Sequence, residues 1–164
     1  MSKISKSHRD LAKTVERMGV LFEQSGYTPM HGRVFAYLLL AEPPHQDFYT
    51  IQEFLKASKS AISNALKFLT KEGIVEYITF SGDRKRYFKV DVRGWLENTK
   101  ERIRQATDLK VLIADVLEIR KDTRYLAFND ELQDVVNFHN ELAEVLKAMA
   151  ARWDEQQRNK KSAR

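Results

Sequence analysis

The sequence predicts a mainly α-helical chain carrying one small β-hairpin, and three observations predict it. Apolar residues recur at spacings of three and four along most of the 164 residues. One stretch, Ile74 to Val90, is instead β-branched and aromatic on either side of Ser81-Gly82-Asp83, which supplies turn chemistry. With 31% charged residues but only 6 Gly and 3 Pro, the chain also reads as compact and helical rather than disordered.

The elements follow in order. Ser7 to Asp10 resembles a capping box with Asp in place of Glu, so a first helix is expected from Ser7. Leu11, Val15, Met18 and Phe22 form its apolar stripe, and Ser25-Gly26 ends it. Thr28 caps a second helix with Pro29 in its first turn, where a missing N–H costs nothing. Val34, Phe35, Leu38 and Leu39 give that helix a wide apolar surface and a central place, and Pro43-Pro44 stops it. Thr50-Ile51-Gln52-Glu53 reads as a capping box opening a short helix through Lys56. Ser58 then caps a helix running from Lys59 to about Glu72, terminated by Gly73 in the left-handed conformation. Two capped helices across so short a turn form a helix-turn-helix pattern. The strands 74–80 and 86–90 make the hairpin that follows, and a lone hairpin must pack on neighbouring helices to persist. In that position it is a wing.

From Val92 the pattern is helical again. Trp95, Leu96, Ile103, Leu109, Leu112, Ile113, Val116 and Leu117 mark a long amphipathic helix ending near 120–124. After a break over 122–129, with Asn129 as the expected cap, a last helix carries Leu132, Val135, His139, Leu142, Leu146, Met149 and Trp153. Their spacing alternates three and four, an a/d seam suited to helices crossing at shallow angles. The expected organisation is an N-terminal helix (1–25) available to a dimer interface, a winged helix-turn-helix (26–91), a helical dimerisation and effector region (92–157), and a basic disordered tail (158–164).

Composition narrows the function. There is no Cys, so disulfides and thiolate metal sites are excluded, which suits the cytoplasm. Residues 1–10 hold no apolar leader segment, and no apolar run approaches membrane-spanning length. His8, His31, His45 and His139 show no paired metal spacing, and no P-loop, dinucleotide-binding or nucleophile-elbow motif is present. No enzyme, cofactor or metal is expected. His45-Gln46-Asp47 is read as loop, and His139 as a hydrogen-bonded interface histidine.

Charge points elsewhere. Residues 1–90 carry 14 Lys/Arg against 9 Asp/Glu, whereas 91–164 carry 14 of each. The window 56–89 alone holds 8 against 3, matching the +5 of the whole chain and suggesting a local phosphate-facing surface. On helix 59–72, Ala61, Ile62, Ala65, Leu66, Phe68 and Leu69 fall on the inner side. Ser58 at the cap, then Lys59, Ser60, Ser63, Asn64, Lys67 and Lys71, form an outer side with no acid before Glu72. Lysines suit phosphates, Asn can pair bidentately with adenine, and Ser addresses several base edges. At the wing tip Arg84, Lys85 and Arg86 can reach a minor groove or its phosphates, while Asp83 can serve the turn or orient an arginine.

The run Ile51 to Ser63, followed by Leu66, Leu69 and Gly73-Ile74-Val75, resembles the winged helix of MarR-type regulators. Gly32 to Leu40 is similar to the GbsR-like branch of that family. The resemblance covers about Gly26 to Val90 and implies a cytoplasmic homodimeric transcription factor, usually a repressor. It would bind a pseudo-palindromic double-stranded operator with helix 59–72 in the major groove. The wing departs from the family in reading Asp83-Arg84-Lys85 where many members have Asp-x-Arg, which leaves open the arginine that enters the minor groove. Relatives in the GbsR-like branch respond to choline-type cations, so Trp95, Tyr125, Phe128 and Phe138 are candidate rings for a small cationic effector. The seam of the last helix, together with helix 95–121, predicts dimerisation, setting two recognition helices about 34 Å apart. The competing reading is a winged-helix adaptor that binds protein rather than specific DNA.

Overall fold

A computed structural model describes residues 3–162. The chain divides into two compact units, Met1–Thr99 and Lys100–Arg164.

The first unit begins with α1 (Lys3–Gln24), which starts before Ser7, so the expected cap there lies inside the helix. No Pro or Gly stands between Lys3 and Ser7 to stop the helix from extending. The second helix, α2 (Pro29–Leu40), is capped by Thr28, whose side chain accepts from the His31 N–H. It is the centre of the unit: Val34, Phe35 and Ala36 are completely buried. Helices α1 and α2 approach closely at Gly19 and Gly32, where a Cβ on Gly32 would come within 2.9 Å of the Gly19 carbonyl oxygen. Arg33 secures the crossing through ion pairs to Glu16 (2.9 Å) and Glu23 (2.6 Å).

His45-Gln46-Asp47 is not simply loop. Gln46–Asp47 form a two-residue strand, β1, which pairs antiparallel with β3 (Tyr87–Val90). With β2 (Val75–Ile78) the sheet runs in the order β1-β3-β2. Asp47 also replaces Thr50 as the cap of α3 (Phe48–Leu55). Its Oδ1 accepts from the Tyr49 N–H at 2.9 Å and the Thr50 N–H at 3.3 Å, while the Thr50 hydroxyl donates to Oδ2 at 2.8 Å. An ionised carboxylate serves a helix N-terminus better than a hydroxyl, so the helix begins three residues before the sequence pattern suggested. Lys56 ends α3 in the left-handed conformation.

Helix α4 (Lys59–Lys71) is capped by Ser58, whose Oγ accepts from the Ala61 N–H at 3.2 Å. Gly73 follows at φ 68°, as its place after a helix end requires. Ile62, Ala65, Leu66 and Leu69 of α4 join Ile51, Ile74, Val75 and the α2 residues in one core. The β2–β3 register pairs Val75 with Val90 and Tyr77 with Phe88. Asp91 then caps α5 (Val92–Arg120) by accepting from the Arg93 and Gly94 N–H groups, while its own N–H donates to the Ile74 carbonyl. Gly94 lies so close to the end of α4 that a Cβ there would collide with the Gly73 carbonyl oxygen.

In the second unit, α5 and α6 (Leu126–Ser162) meet through a corner around Asn129. Asn129 stands inside α6 and is a clasp rather than the expected cap. It accepts from Arg120 Nε at 2.9 Å, and its amide donates to the Arg120 carbonyl and the Thr123 hydroxyl. Ile103 of α5 lines a cleft with Leu146 and Met149 of α6, so the two helices run antiparallel. Helix α6 continues to Ser162, through most of the basic stretch expected to be disordered. No described helix is long and apolar enough to cross a membrane.

Candidate nucleic-acid interface

The core sorts the side chains of α4. Because Ile62, Ala65, Leu66 and Leu69 are buried, the 3.6-residue period turns Lys59, Ser60, Asn64, Lys67 and Lys71 outward, and all five are exposed. Ser58, the cap, is exposed too, while Ser63 is half-buried on the flank toward the wing. Ser58 and Ser60 share a hydrogen bond of 3.0 Å between their hydroxyls. Every residue assigned to the outer side from the sequence therefore lies along one flank of one helix. Phe68, expected inside, stacks on His31 at 4.2 Å, and burial lowers the affinity of that imidazole for a proton.

Three elements flank this face. Tyr49, at the start of α3, is exposed and holds the Lys59 ammonium 5.8 Å from its ring centre. Between α4 and the wing runs a cleft edged by Ser63, Lys67, Thr70 and Lys71 on one side and Tyr77 and Arg86 on the other. Phe48, Leu66 and Phe88 complete its lining. A trough with cations and hydroxyls along its rims and apolar side chains within it suits a sugar-phosphate strand.

The wing tip is tightly organised. Phe80 accepts through its carbonyl from the Asp83 N–H, and Gly82 takes φ 84°. Asp83 accepts from the Lys85 N–H at 2.9 Å and the Tyr87 hydroxyl at 2.6 Å, so it serves the turn rather than an arginine. Those hydrogen bonds, Tyr87's first, hold its carboxyl below the usual range, and the same contact pushes the Tyr87 phenol up. The three wing cations are not equivalent. Lys85 is paired with Asp47 at 3.4 Å, and Arg86 lies over Tyr77 at 5.0 Å. Arg84 is exposed and makes no ion pair or hydrogen bond among the described residues.

This architecture has solved counterparts. A transcriptional regulator of known crystal structure superposes with a TM-score of 0.69 at 26% identity, covering 89% of this chain and 99% of that one. The fold is a winged helix. In sequence, the chain is 34% identical over 107 residues to the HTH-type transcriptional regulator MmpR5 of Mycobacterium tuberculosis (strain ATCC 25618 / H37Rv). That match covers 65% of this chain and spans 64% of the relative's length. A fainter likeness is to NMB1585, a MarR family regulator from Neisseria meningitidis, with 16% identity and a TM-score of 0.39 over 93% of this chain and 99% of that one. No family model matches the chain. The relatives are regulators of transcription, not enzymes.

The remaining sequence candidates divide between the units. Trp95 belongs to the first, packed edge-on against Phe35 at 4.9 Å. Tyr125, Phe128 and Phe138 belong to the second and are exposed. Arg124 lies over Tyr125 and Arg120 over Phe128, so the cation at each of those rings is the protein's own. Along α6, Leu132, His139, Leu142 and Leu146 are half-buried, while Val135, Met149 and Trp153 are exposed. His139 Nδ1 bonds the Val135 carbonyl at 2.8 Å. No cluster of His, Asp and Glu able to hold a metal occurs among the described residues.

Tyr49, Thr70 and Tyr77 border the interface but were missed from the sequence. Tyr49 and Tyr77 carried a signal, since each is a large ring at a position the packing pattern leaves outward.

Proposed function

We propose that this chain is a homodimeric, sequence-specific DNA-binding regulator of transcription of the MarR type, and a repressor as that resemblance implies. The observation that carries the reading is the outer side of α4: cations and short polar side chains, all reachable, with no acid before Glu72. Helix α4 enters the major groove. Asn64, Ser60 and Ser63 read base edges, while Ser58, Lys59, Lys67 and Lys71 hold phosphates on either side. Arg84 is the wing residue that inserts into the adjacent minor groove, because Lys85 and Arg86 are already engaged at Asp47 and Tyr77. The likeness to the sequence-matched regulator and to the solved regulator supports this reading. The GbsR-like affinity rests on the sequence of α2 alone.

A second copy places a second α4 about one duplex turn away, which makes the operator pseudo-palindromic. The seam of α6, Leu132, Val135, His139, Leu142, Leu146, Met149 and Trp153, supplies the dimer contacts, with three of its members exposed.

Fluorescence anisotropy on a selected duplex across a salt series tests the assignment. Lys67→Ala weakens binding to every sequence and lowers the salt slope by about one. Asn64→Ala relaxes preference at one base pair, a change of about 1–3 kcal/mol. If neither variant alters binding, α4 is not the reading element. A stoichiometric protein partner with no preferred DNA sequence would point to an adaptor instead.

A further inference from the structure

Helix α4 ends against the start of α5, and a cluster of contacts within the first unit makes that junction. The Asp91 N–H donates to the Ile74 carbonyl at 2.9 Å, and Asp91 Oδ1 accepts from the Arg93 and Gly94 N–H groups at 3.0 Å each. Gly94 approaches Gly73 too closely for any side chain. Trp95 packs its ring edge-on against the fully buried Phe35 at 4.9 Å. One turn further on, Asn98 Nδ2 donates to the carbonyl oxygen of Glu72, the C-cap of α4, and to Glu72 Oε2, each at 3.2 Å.

Asn98 has a different task from the others. Asp91, Gly94 and Trp95 stand at the first turn and fix where α5 begins. A second point is needed to fix where a rod points, and Asn98 supplies it about 6 Å along the axis from Gly94. Its amide carries two N–H donors, which match two oxygens of one residue. Glu72 needs such a partner. Its carbonyl is among those that a helix end leaves unpaired, and its carboxylate stands at the negative end of the helix dipole. Both residues are half-buried, so the pair is partly sheltered from water.

The length of the rod gives this clasp its leverage. Helix α5 belongs to the first unit through Thr99 and continues as one helix to Arg120. From Asn98 to Arg120 it spans about 33 Å. A tilt of about 6° at Asn98 moves the far end by about 3.4 Å, one base-pair step of a duplex. In a dimer held together beyond Thr99, slack of that size lets the two copies of α4 meet half-sites one base pair nearer or farther apart.

We propose that Asn98 is a positioning residue: its clasp on Glu72 fixes the direction in which α5 leaves α4, and thereby, given the dimeric DNA-binding reading above, the half-site spacing that a dimer of this chain accepts. Asn98 acts through α4 and α5 rather than on DNA.

Fluorescence anisotropy with the full chain tests the clasp on duplexes carrying one half-site recovered by selection from a random pool, or two at a series of spacings. The unmodified chain is expected to prefer its best spacing about tenfold over spacings one base pair longer or shorter. Asn98→Ala should reduce that preference to about twofold, while affinity for the single half-site stays unchanged. Glu72→Gln, which keeps an oxygen facing the Asn98 amide, should retain the preference. Glu72→Ala, which leaves Asn98 only the backbone carbonyl, should lie between, and it carries the test if Asn98→Ala does not fold. A preference undiminished in the Ala variants, or single and paired affinities that fall together, would overturn the clasp alone. An unmodified chain that binds two half-sites no better than one would instead contradict the dimeric reading, and the clasp with it.

Discussion

The unit ending at Thr99 packs a buried apolar core, and the unit beginning at Lys100 leaves nearly all of its apolar side chains at least partly exposed. The first has a continuous core through α1–α4 and the sheet, centred on Phe35, Ile51, Ile62, Leu69 and Ile74. In the second, Val136 is the one buried hydrophobic among the described residues, whereas Leu109, Val111, Leu112, Val145 and Met149 are exposed and Ile119 is 82% exposed. Two antiparallel helices can cover only one side of each other, so an apolar stripe remains on each. The difference teaches that the winged helix buries its apolar side chains within itself, while the helical hairpin leaves an apolar stripe that the proposed second copy would cover. The proposed recognition chemistry follows the same division, because Asn64 and Arg84 both stand on the packed unit.

The contrast is broken most strongly at the seam. Trp153→Ala is expected to weaken self-association by about thirty- to a thousandfold, the range for an interface tryptophan. Sedimentation equilibrium measures this, and unfolding of the winged helix should not change. A variant that dimerises normally would remove α6 from the interface. Stability of the first unit is struck instead by Gly94→Ala. The new Cβ must displace the end of α4, costing about 1–3 kcal/mol in denaturant unfolding, with little effect on self-association.

Arg84→Ala separates recognition from both. Duplex affinity is expected to fall about tenfold, the equivalent change at Lys85 to do less, and the dimer to be unaltered. Equal losses at the two positions would show that their different environments do not matter.

The smallest effect concerns Asp47. Burial pushes its carboxyl up, but the Thr50 hydroxyl, the Thr50 and Tyr49 N–H groups and Lys85 outweigh that and hold it below the usual carboxylate range. A depressed carboxyl contributes stability above its unfolded value and loses it as pH falls through the folded one. Asp47→Asn should therefore cost about 1 kcal/mol at neutral pH and show a shallower loss of stability below about pH 4, measured by thermal unfolding across pH.

Much of the winged helix was legible because local chemistry agreed with the global fold. Thr28-Pro29, Ser58 and Gly73 each mark a boundary by a backbone requirement that only a few residue types meet, and the structure places all three as read. The misplacements arose where a distant partner decided. Asp47 caps α3 from a strand whose existence depends on pairing with Tyr87 and Phe88, forty positions or more along a sequence that shows no alternation there. Asn129 has the residue type of a cap but is spent on Arg120 across the helical corner. The outer side of α4 needed no such partner: one period along one helix arranged it, and the sequence stated that period directly.

Selection of DNA from a random duplex pool by the purified protein, followed by sequencing, tests the central claim most directly. The account predicts an enriched site with two-fold symmetry, its half-sites about ten base pairs apart, and loss of that enrichment when Asn64 and Lys67 are replaced by Ala. A pool that emerges unenriched, or a motif unchanged by those replacements, would contradict it.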